Sequence, residues 1–275
     1  MSWAQNLTRK GGFWKDAHWY DLHAPTRLPQ YKQMTEQLVR SAPPLGDQDA
    51  VCDFLCGSGA AGVAFREAYP DVPITFVDSS TERLREVRRR VSTKQAEGSP
   101  VWRRVREDGD KAALSSTSTT SSSSPMQMQI SFEEGAPVHL HEYAFEYDSP
   151  TAIPHAPFDL IIAQLALHVI VGHEHETEGG SEGAVPRYLT VMRYLWRHLK
   201  PGGHLLIADH VGCLPCGQQM ALLAEGGMFE DVDVAWREGA FFVIGGRKSV
   251  SGGATPTWHT AHGIDMNELD KDKLS

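Results

Sequence analysis

The sequence predicts an α/β protein: a doubly wound, mostly parallel seven-stranded sheet with helices on both faces and a C-terminal antiparallel hairpin. Three observations carry that expectation. From residue 50 onward, short apolar runs alternate with helix-length segments, the pattern from which parallel sheets are built. The run Val51-Cys52-Asp53-Phe54-Leu55 passes directly into the glycine turn Cys56-Gly57-Ser58-Gly59. Two closing apolar runs, Val232 to Trp236 and Phe241 to Gly245, are separated by the short connection Arg237-Glu238-Gly239, which suits an antiparallel pair.

In chain order, Phe13 to Arg40 reads as helical, with Trp14, Trp19, Tyr20, Tyr31, Met34, Leu38 and Val39 at near-helical spacing and breaks at Pro25 and Pro29. Residues 1–44 are read as an aromatic-rich helical cap over the pocket. After Pro43-Pro44 come a first strand (Ala50 to Leu55), a helix (Ala60 to Ala68), a second strand (Ile74 to Val77) and a helix from Thr81 to about Val91. The pattern then breaks over 92–136. Leu114 to Pro125 is almost entirely serine and threonine, which can bury very little, so this span is expected to be a disordered insertion. A third strand, Val138 to Tyr147, ends at Asp148, and a fourth runs from Phe158 to Ala163. A helix over Val185 to Leu199 is stopped by the Pro201-Gly202-Gly203 turn, followed by a fifth strand, His204 to Ala208, and a helix, Gln218 to Glu225. Residues 45–248 thus read as one domain, and 249–275, polar and glycine-rich, as a flexible tail.

Composition narrows the classes. A chain of 275 residues buries a full core. Its net charge of −9 argues against a nucleic-acid partner, which would ordinarily face a basic surface. Arg83, Arg85, Arg88, Arg89, Arg90 and Lys94 cluster on one predicted helix and read as its solvated face. The first twenty residues lack the apolar core of a secretory signal, and the apolar stretch from Asp159 to Gly172 is too short and too interrupted to span a bilayer. A soluble cytoplasmic protein with reduced thiols is the expectation, because four cysteines do not make a disulfide framework in a chain of this length.

The glycine turn and the acidic residue beyond it define a nucleotide-type crevice. Asp78 closes the second strand nineteen residues after Gly59, the spacing that sets a carboxylate beside a ribose. His173-Glu174-His175-Glu176 and Cys213-Leu214-Pro215-Cys216 lack the partners that a metal site or redox pair needs, so no metal is expected. Together with Phe158 to Ala163, similar to a fourth strand, and Leu195 to Asp209 (LWRHLKPGGHLLIAD), similar to a helix, Pro-Gly-Gly turn and fifth strand, these features resemble the class I S-adenosylmethionine-dependent methyltransferases. The likeness covers Phe13 to Lys248 without the serine-rich span. It departs at Leu55, where the family commonly has glycine, and in the 70 residues that separate Asp78 from Asp148.

The resemblance implies S-adenosylmethionine as the cofactor and a role for each matching residue. Gly57 and Gly59 would let the backbone approach it, and Asp53 would hold the turn or bind its ammonium through water. Asp78, with Ser79 beside it, would take the ribose hydroxyls; Ser79 or Ser80 also suits a helix N-cap. Asp148 and the amide of Ser149 would address the adenine, in competition with a plain Asp-Ser-Pro turn, and Gln164 would face the same crevice. His168, after the fourth strand, is the first candidate for a base, and a loop histidine is its competing reading. His210 is the second candidate; His18 and Tyr20 of the cap follow, with Trp14, Trp19 and Tyr31 as either a lid over the sulfonium or ordinary helix packing.

The function expected is methyl transfer to a small-molecule acceptor, in which proximity and orientation supply most of the acceleration. Phe13 to Met34 also loosely resembles the cap of bacterial enzymes that make carboxy-modified S-adenosylmethionine for tRNA modification. Leu55 keeps open a non-catalytic protein that binds cofactor or partner.

Overall fold

The computed structural model describes residues 23–250 apart from 25, 97–104, 107–126, 133–135, 148–149, 173–180 and 213. Its elements are α1 (Tyr31–Arg40), β1 (Val51–Phe54), α2 (Ala60–Ala68), β2 (Ile74–Asp78), α3 (Thr81–Ala96), β3 (Val105–Arg106), β4 (Gln127–Phe132), β5 (Val138–Glu142), β6 (Phe158–Gln164), α4 (Leu167–Val171), α5 (Ser181–Arg197), β7 (Leu199–His210), α6 (Cys216–Ala224), β8 (Phe229–Glu238) and β9 (Phe241–Lys248). The strands form one sheet in the order β3-β4-β5-β2-β1-β6-β7-β9-β8. From β5 to β7 every pairing is parallel, while β9 runs antiparallel to both β7 and β8. The expected seven strands are all present, and the hairpin closes the sheet at one edge.

Strand alternation divides the side chains between two layers. Cys52, Phe54 and Val77 join the core against α5 and α6, with Val191, Met192, Leu195 and Leu223 opposite them. Val51, Ile74, Phe76 and Leu140 join the other layer, against Met34 and Leu38 of α1, Phe65 of α2 and Leu84 and Val87 of α3. Phe54 and Phe76 are wholly buried, each worth about 1.5–3 kcal/mol of apolar transfer. Helices on both faces are what a parallel sheet requires. The order of the strands reverses at β1: the chain moves outward to β2 and β5 on one side, then returns to build β6 and β7 on the other. A ligand crevice forms at such a switch point, beyond the carboxyl ends of the strands.

Several expectations need correction. The span 92–136 contains regular structure: α3 continues to Ala96, and β3 and β4 add two antiparallel strands beyond β5. The alternating segment Gln127-Met128-Gln129-Ile130-Ser131-Phe132 follows the Ser/Thr run and has strand periodicity of its own. The third strand stops at Glu142, not Asp148, because β2 ends at Asp78 opposite it and no ladder remains to extend. Pro201-Gly202-Gly203 lies inside β7 as an irregularity: Phe158 pairs with Leu199 while Leu160 pairs with His204. Gly203 is needed there, since a Cβ would stand 3.0 Å or less from the carbonyl oxygens of Lys200 and Phe158. The stretch after β6 is the short helix α4, not loop from its start. Trp14, His18, Trp19, Tyr20, Asp148, Ser149, the His173 to Glu176 cluster, Cys213, the Leu114 to Pro125 run and residues 251–275 lie outside the described residues.

Candidate active site

The glycine turn is built around two buried carboxylates. Asp53, on β1, accepts a hydrogen bond from the Gly62 amide of α2 at 2.9 Å. Asp78, at the end of β2, accepts from the Gly57 amide at 2.9 Å through Oδ2 and from the Ser80 amide at 2.9 Å through Oδ1. The Arg83 guanidinium stands 3.8 Å from Oδ2. Burial pushes the Asp78 carboxyl above its ordinary value, against the opposing pull of Arg83 and the two amides. Ser80, not Ser79, supplies the hydroxyl that caps α3, accepting from the Arg83 amide at 3.3 Å, and Ser79 is exposed.

The two glycines do different work. Gly57 has φ +56° and a Cβ built there would meet nothing within 4 Å, so the turn faces open space at this position. Gly59 has φ +79°, and its Cβ would stand 2.7 Å from Cγ2 of Val87 and 3.2 Å from the Phe76 ring. Gly59 is therefore a packing glycine where α2 meets α3 and the sheet. Leu55 adopts φ +52°, a left-handed conformation that disfavours any side chain. Leu55→Gly is expected to change stability by no more than about 1 kcal/mol, because relief of that strain offsets the lost packing and the added chain entropy. Titration calorimetry before and after the substitution shows whether the leucine crowds the crevice: tighter S-adenosylhomocysteine binding in the variant is the expected result.

Asp53 is wholly buried, and burial, assisted by the neighbouring Asp78 charge and resisted by the Gly62 bond, raises its carboxyl to about 7. A group with a raised folded value stabilises the fold fully only below its unfolded value, and that contribution is lost as pH rises through the folded one. Stability is expected to fall between pH 4 and 7 by an amount of the order of 4 kcal/mol at most. Asp53→Asn, which keeps an acceptor for Gly62, flattens this dependence in urea unfolding at pH 5 and 7.5.

On the other side of the switch point, Asp209, next to last in β7, organises the segment after β6. Its Oδ2 accepts from the amides of Leu167 and His168 at 3.1 and 3.2 Å, capping the first turn of α4. Its Oδ1 lies 2.8 Å from Nδ1 of His168 and accepts from the His210 amide at 2.8 Å. Burial works to raise the Asp209 carboxyl, but the charge and hydrogen bond of His168, and then His210, outweigh it and hold the group below its ordinary value. An ionised carboxylate only accepts, so His168 presents Nδ1–H to Asp209. His210 lies with its ring centroid 4.5 Å from that of His168 and takes the Gly212 amide on Nδ1 at 2.8 Å, a bond that commits this nitrogen to the backbone.

Gln164, at the end of β6, is tied to the N-terminal layer: its amide nitrogen donates to the Thr35 hydroxyl at 2.8 Å, which donates in turn to the Tyr31 carbonyl at 3.0 Å. Helix α1 packs against α2, β7 and β9. A cavity of about 490 Å³ opens between α1 and α2, lined by Tyr31, Thr35, Val39, Arg40, Ala60 and Ala64 among others. It lies beside the glycine turn, and Asp53, Asp78 and His168 do not line it. The carboxyl edge therefore carries Asp78, the Cys56 to Gly59 turn, Gln164 and Asp209 on four successive strands. Three strand spacings separate the outer two, about 14 Å, the length of an extended nucleoside-type ligand. Sequence reasoning missed Asp209 as the partner of His168, and Glu142, which the register sets opposite Asp78. A polar residue at the end of a parallel strand was the available signal for both.

Neither a protein-family model nor a curated protein sequence matches the chain. Among solved structures, an O-methyltransferase family protein from Burkholderia thailandensis superposes with a TM-score of 0.51 at 14% identity, over 86% of this chain and 60% of its own. Human N-acetylserotonin methyltransferase in complex with S-adenosylmethionine gives 0.48 at 15% identity, over 86% and 58%. The N-methyltransferase NodS from Bradyrhizobium japonicum WM9 gives 0.46 at 12% identity, over 82% and 97%. The chain spans about 60% of the length of the Burkholderia protein. At this identity the likeness concerns the fold, and the fold is that of the class I S-adenosylmethionine-dependent methyltransferases.

Proposed function

We propose that this protein transfers a methyl group from S-adenosylmethionine to a protic small-molecule acceptor, with His168 as general base. The observation that carries the reading is the Asp209–His168 pair, set on the same carboxyl edge as the Asp78 turn. The residues at the turn fit the cofactor: Gly57 faces open space, and the Asp78 oxygens each accept one amide bond and retain capacity for ribose hydroxyls. When bound, S-adenosylmethionine supplies an electrophilic methyl group. Asp209 holds His168 in the tautomer whose Nε2 is basic, and that nitrogen takes the acceptor's proton as the nucleophile reacts. Burial of both side chains keeps water from competing.

The other roles accord with the same reading: Asp53 and Gly59 shape the turn, Asp78 holds the ribose, and α1 caps the pocket. The acidic net charge supports a small acceptor over a nucleic acid. Among the described residues no helix is long and apolar enough to cross a membrane. The free thiols of Cys52 and Cys56, raised by burial and then by the charge of Asp53, belong with a reducing cytoplasmic setting.

Calorimetry of the purified chain tests the cofactor. Micromolar binding of S-adenosylmethionine and S-adenosylhomocysteine, without binding of NAD, is expected, and absence of binding overturns the reading. Leu55 favours a second one, a cofactor-binding protein without turnover; it prevails if the cofactor binds while no protic acceptor in a broad screen releases S-adenosylhomocysteine.

A further inference from the structure

Three further histidines converge on one face of β5. His139 and His141 are two apart on that strand, so both imidazoles leave the same face of the sheet. His155, in the turn before β6, stacks on His139 with the ring centroids 4.0 Å apart and lies tilted against His141 at 5.0 Å. One ring nitrogen from each lies within 4.8 Å of the other two. In the register of the sheet, Thr75 and Val77 of β2 stand beside His139 and His141, and Gln129 and Gln127 of β4 stand on the other side.

His141 is the telling member. It is 6% exposed, and neither ring nitrogen has a hydrogen-bond partner among the described residues. Every imidazole carries at least one N–H or an open lone pair that a buried site must satisfy. Stacking alone accounts for the closeness of the rings; it leaves the nitrogens of His141 unused.

We propose that His139, His141 and His155 bind one divalent transition-metal ion. Neutral imidazoles suit zinc, copper and nickel and disfavour magnesium and calcium. Three protein nitrogens with a fourth position left to water form a familiar coordination number for zinc. Nitrogens about 2.1 Å from a tetrahedral ion stand about 3.4 Å apart, closer than the present limit of 4.8 Å. His155 is exposed and has room for the movement that closes the difference. The ion ties the 150–157 segment to β5. That segment is fastened on its other side to α5 and the residue after it: the Tyr194 hydroxyl donates to the Thr151 carbonyl, and the Ile153 amide donates to Nε2 of His198.

The test is zinc titration of the full chain after chelator treatment, followed by calorimetry and by the thermal midpoint. One equivalent binding with micromolar or better affinity, and a zinc-dependent rise in the midpoint, are expected. His155→Ala, a change at an exposed position, is expected to weaken binding by at least about tenfold, the loss seen even when a group that merely supports a ligand is removed. Cobalt(II) in place of zinc is expected to give intense visible bands in the wild type that His155→Ala abolishes. The second histidine-carboxylate group, His168 with Asp209 and His210, is separated by His168→Gln, in which zinc stoichiometry and affinity stay as in the wild type. Absence of saturable binding, or binding that survives His155→Ala while His168→Gln removes it, overturns the proposal.

Discussion

His168→Ala is expected to lower kcat by about 10²–10⁴-fold, the usual contribution of a positioned general base, while the cofactor still binds. The alanine also strips the buried Asp209 of its principal partner, and an uncompensated buried charge destabilises a fold by about 3–5 kcal/mol. His168→Gln separates the two effects. Its amide donates to Asp209 in place of Nδ1–H but takes no proton, so the variant folds like the wild type and remains slow. The pH profile gives an independent readout, since the limb that reports base ionisation disappears from kcat/KM in both variants. Undiminished turnover in His168→Gln means that the histidine only packs against Asp209.

Asp78→Ala is the second large effect. Hydrogen bonds to a charged group are worth about 1.5–3 kcal/mol, so losing the proposed contact to ribose is expected to weaken S-adenosylhomocysteine binding by roughly 10–100-fold. The same change orphans the amides of Gly57 and Ser80, and a fall in the thermal midpoint accompanies it. Asp78→Asn keeps one acceptor oxygen without the charge and is expected to fall between alanine and wild type in both measurements. Because burial raises the Asp78 carboxyl, affinity in the wild type also declines on acidification earlier than it would for an ordinary aspartate. Equal affinities across the three proteins dismiss the ribose role.

Local chemistry made the inner sheet legible. The apolar run entering a glycine turn, the aspartate closing β2 and the short link between β8 and β9 are contiguous signals, and each lies where the sequence predicts it. The features that were not legible depend on partners distant in the chain. Alternation continues past Glu142 through Phe145 and Tyr147, yet β5 stops because β2 does. Helix α4 continues an apolar run without a helical period, and its cap comes from Asp209, 41 residues beyond His168. The strand β4 was hidden by the composition of its neighbours, although its own alternation was visible. His139 and His141 declare a shared face in the sequence, whereas His155 joins them only through the turn that leads into β6.

Asp209 ties the geometry of a helix start to the state of an imidazole. The oxygen that holds the amide protons of Leu167 and His168 belongs to the same carboxylate that grips the imidazole. Hydrogen exchange at those two amides therefore reads the pair from the backbone side: protonating Asp209 loosens them and releases the tautomer in one event. A ligand that reaches His168 registers as slowed exchange at positions 167 and 168, which makes these amides a way to screen acceptors without waiting for product.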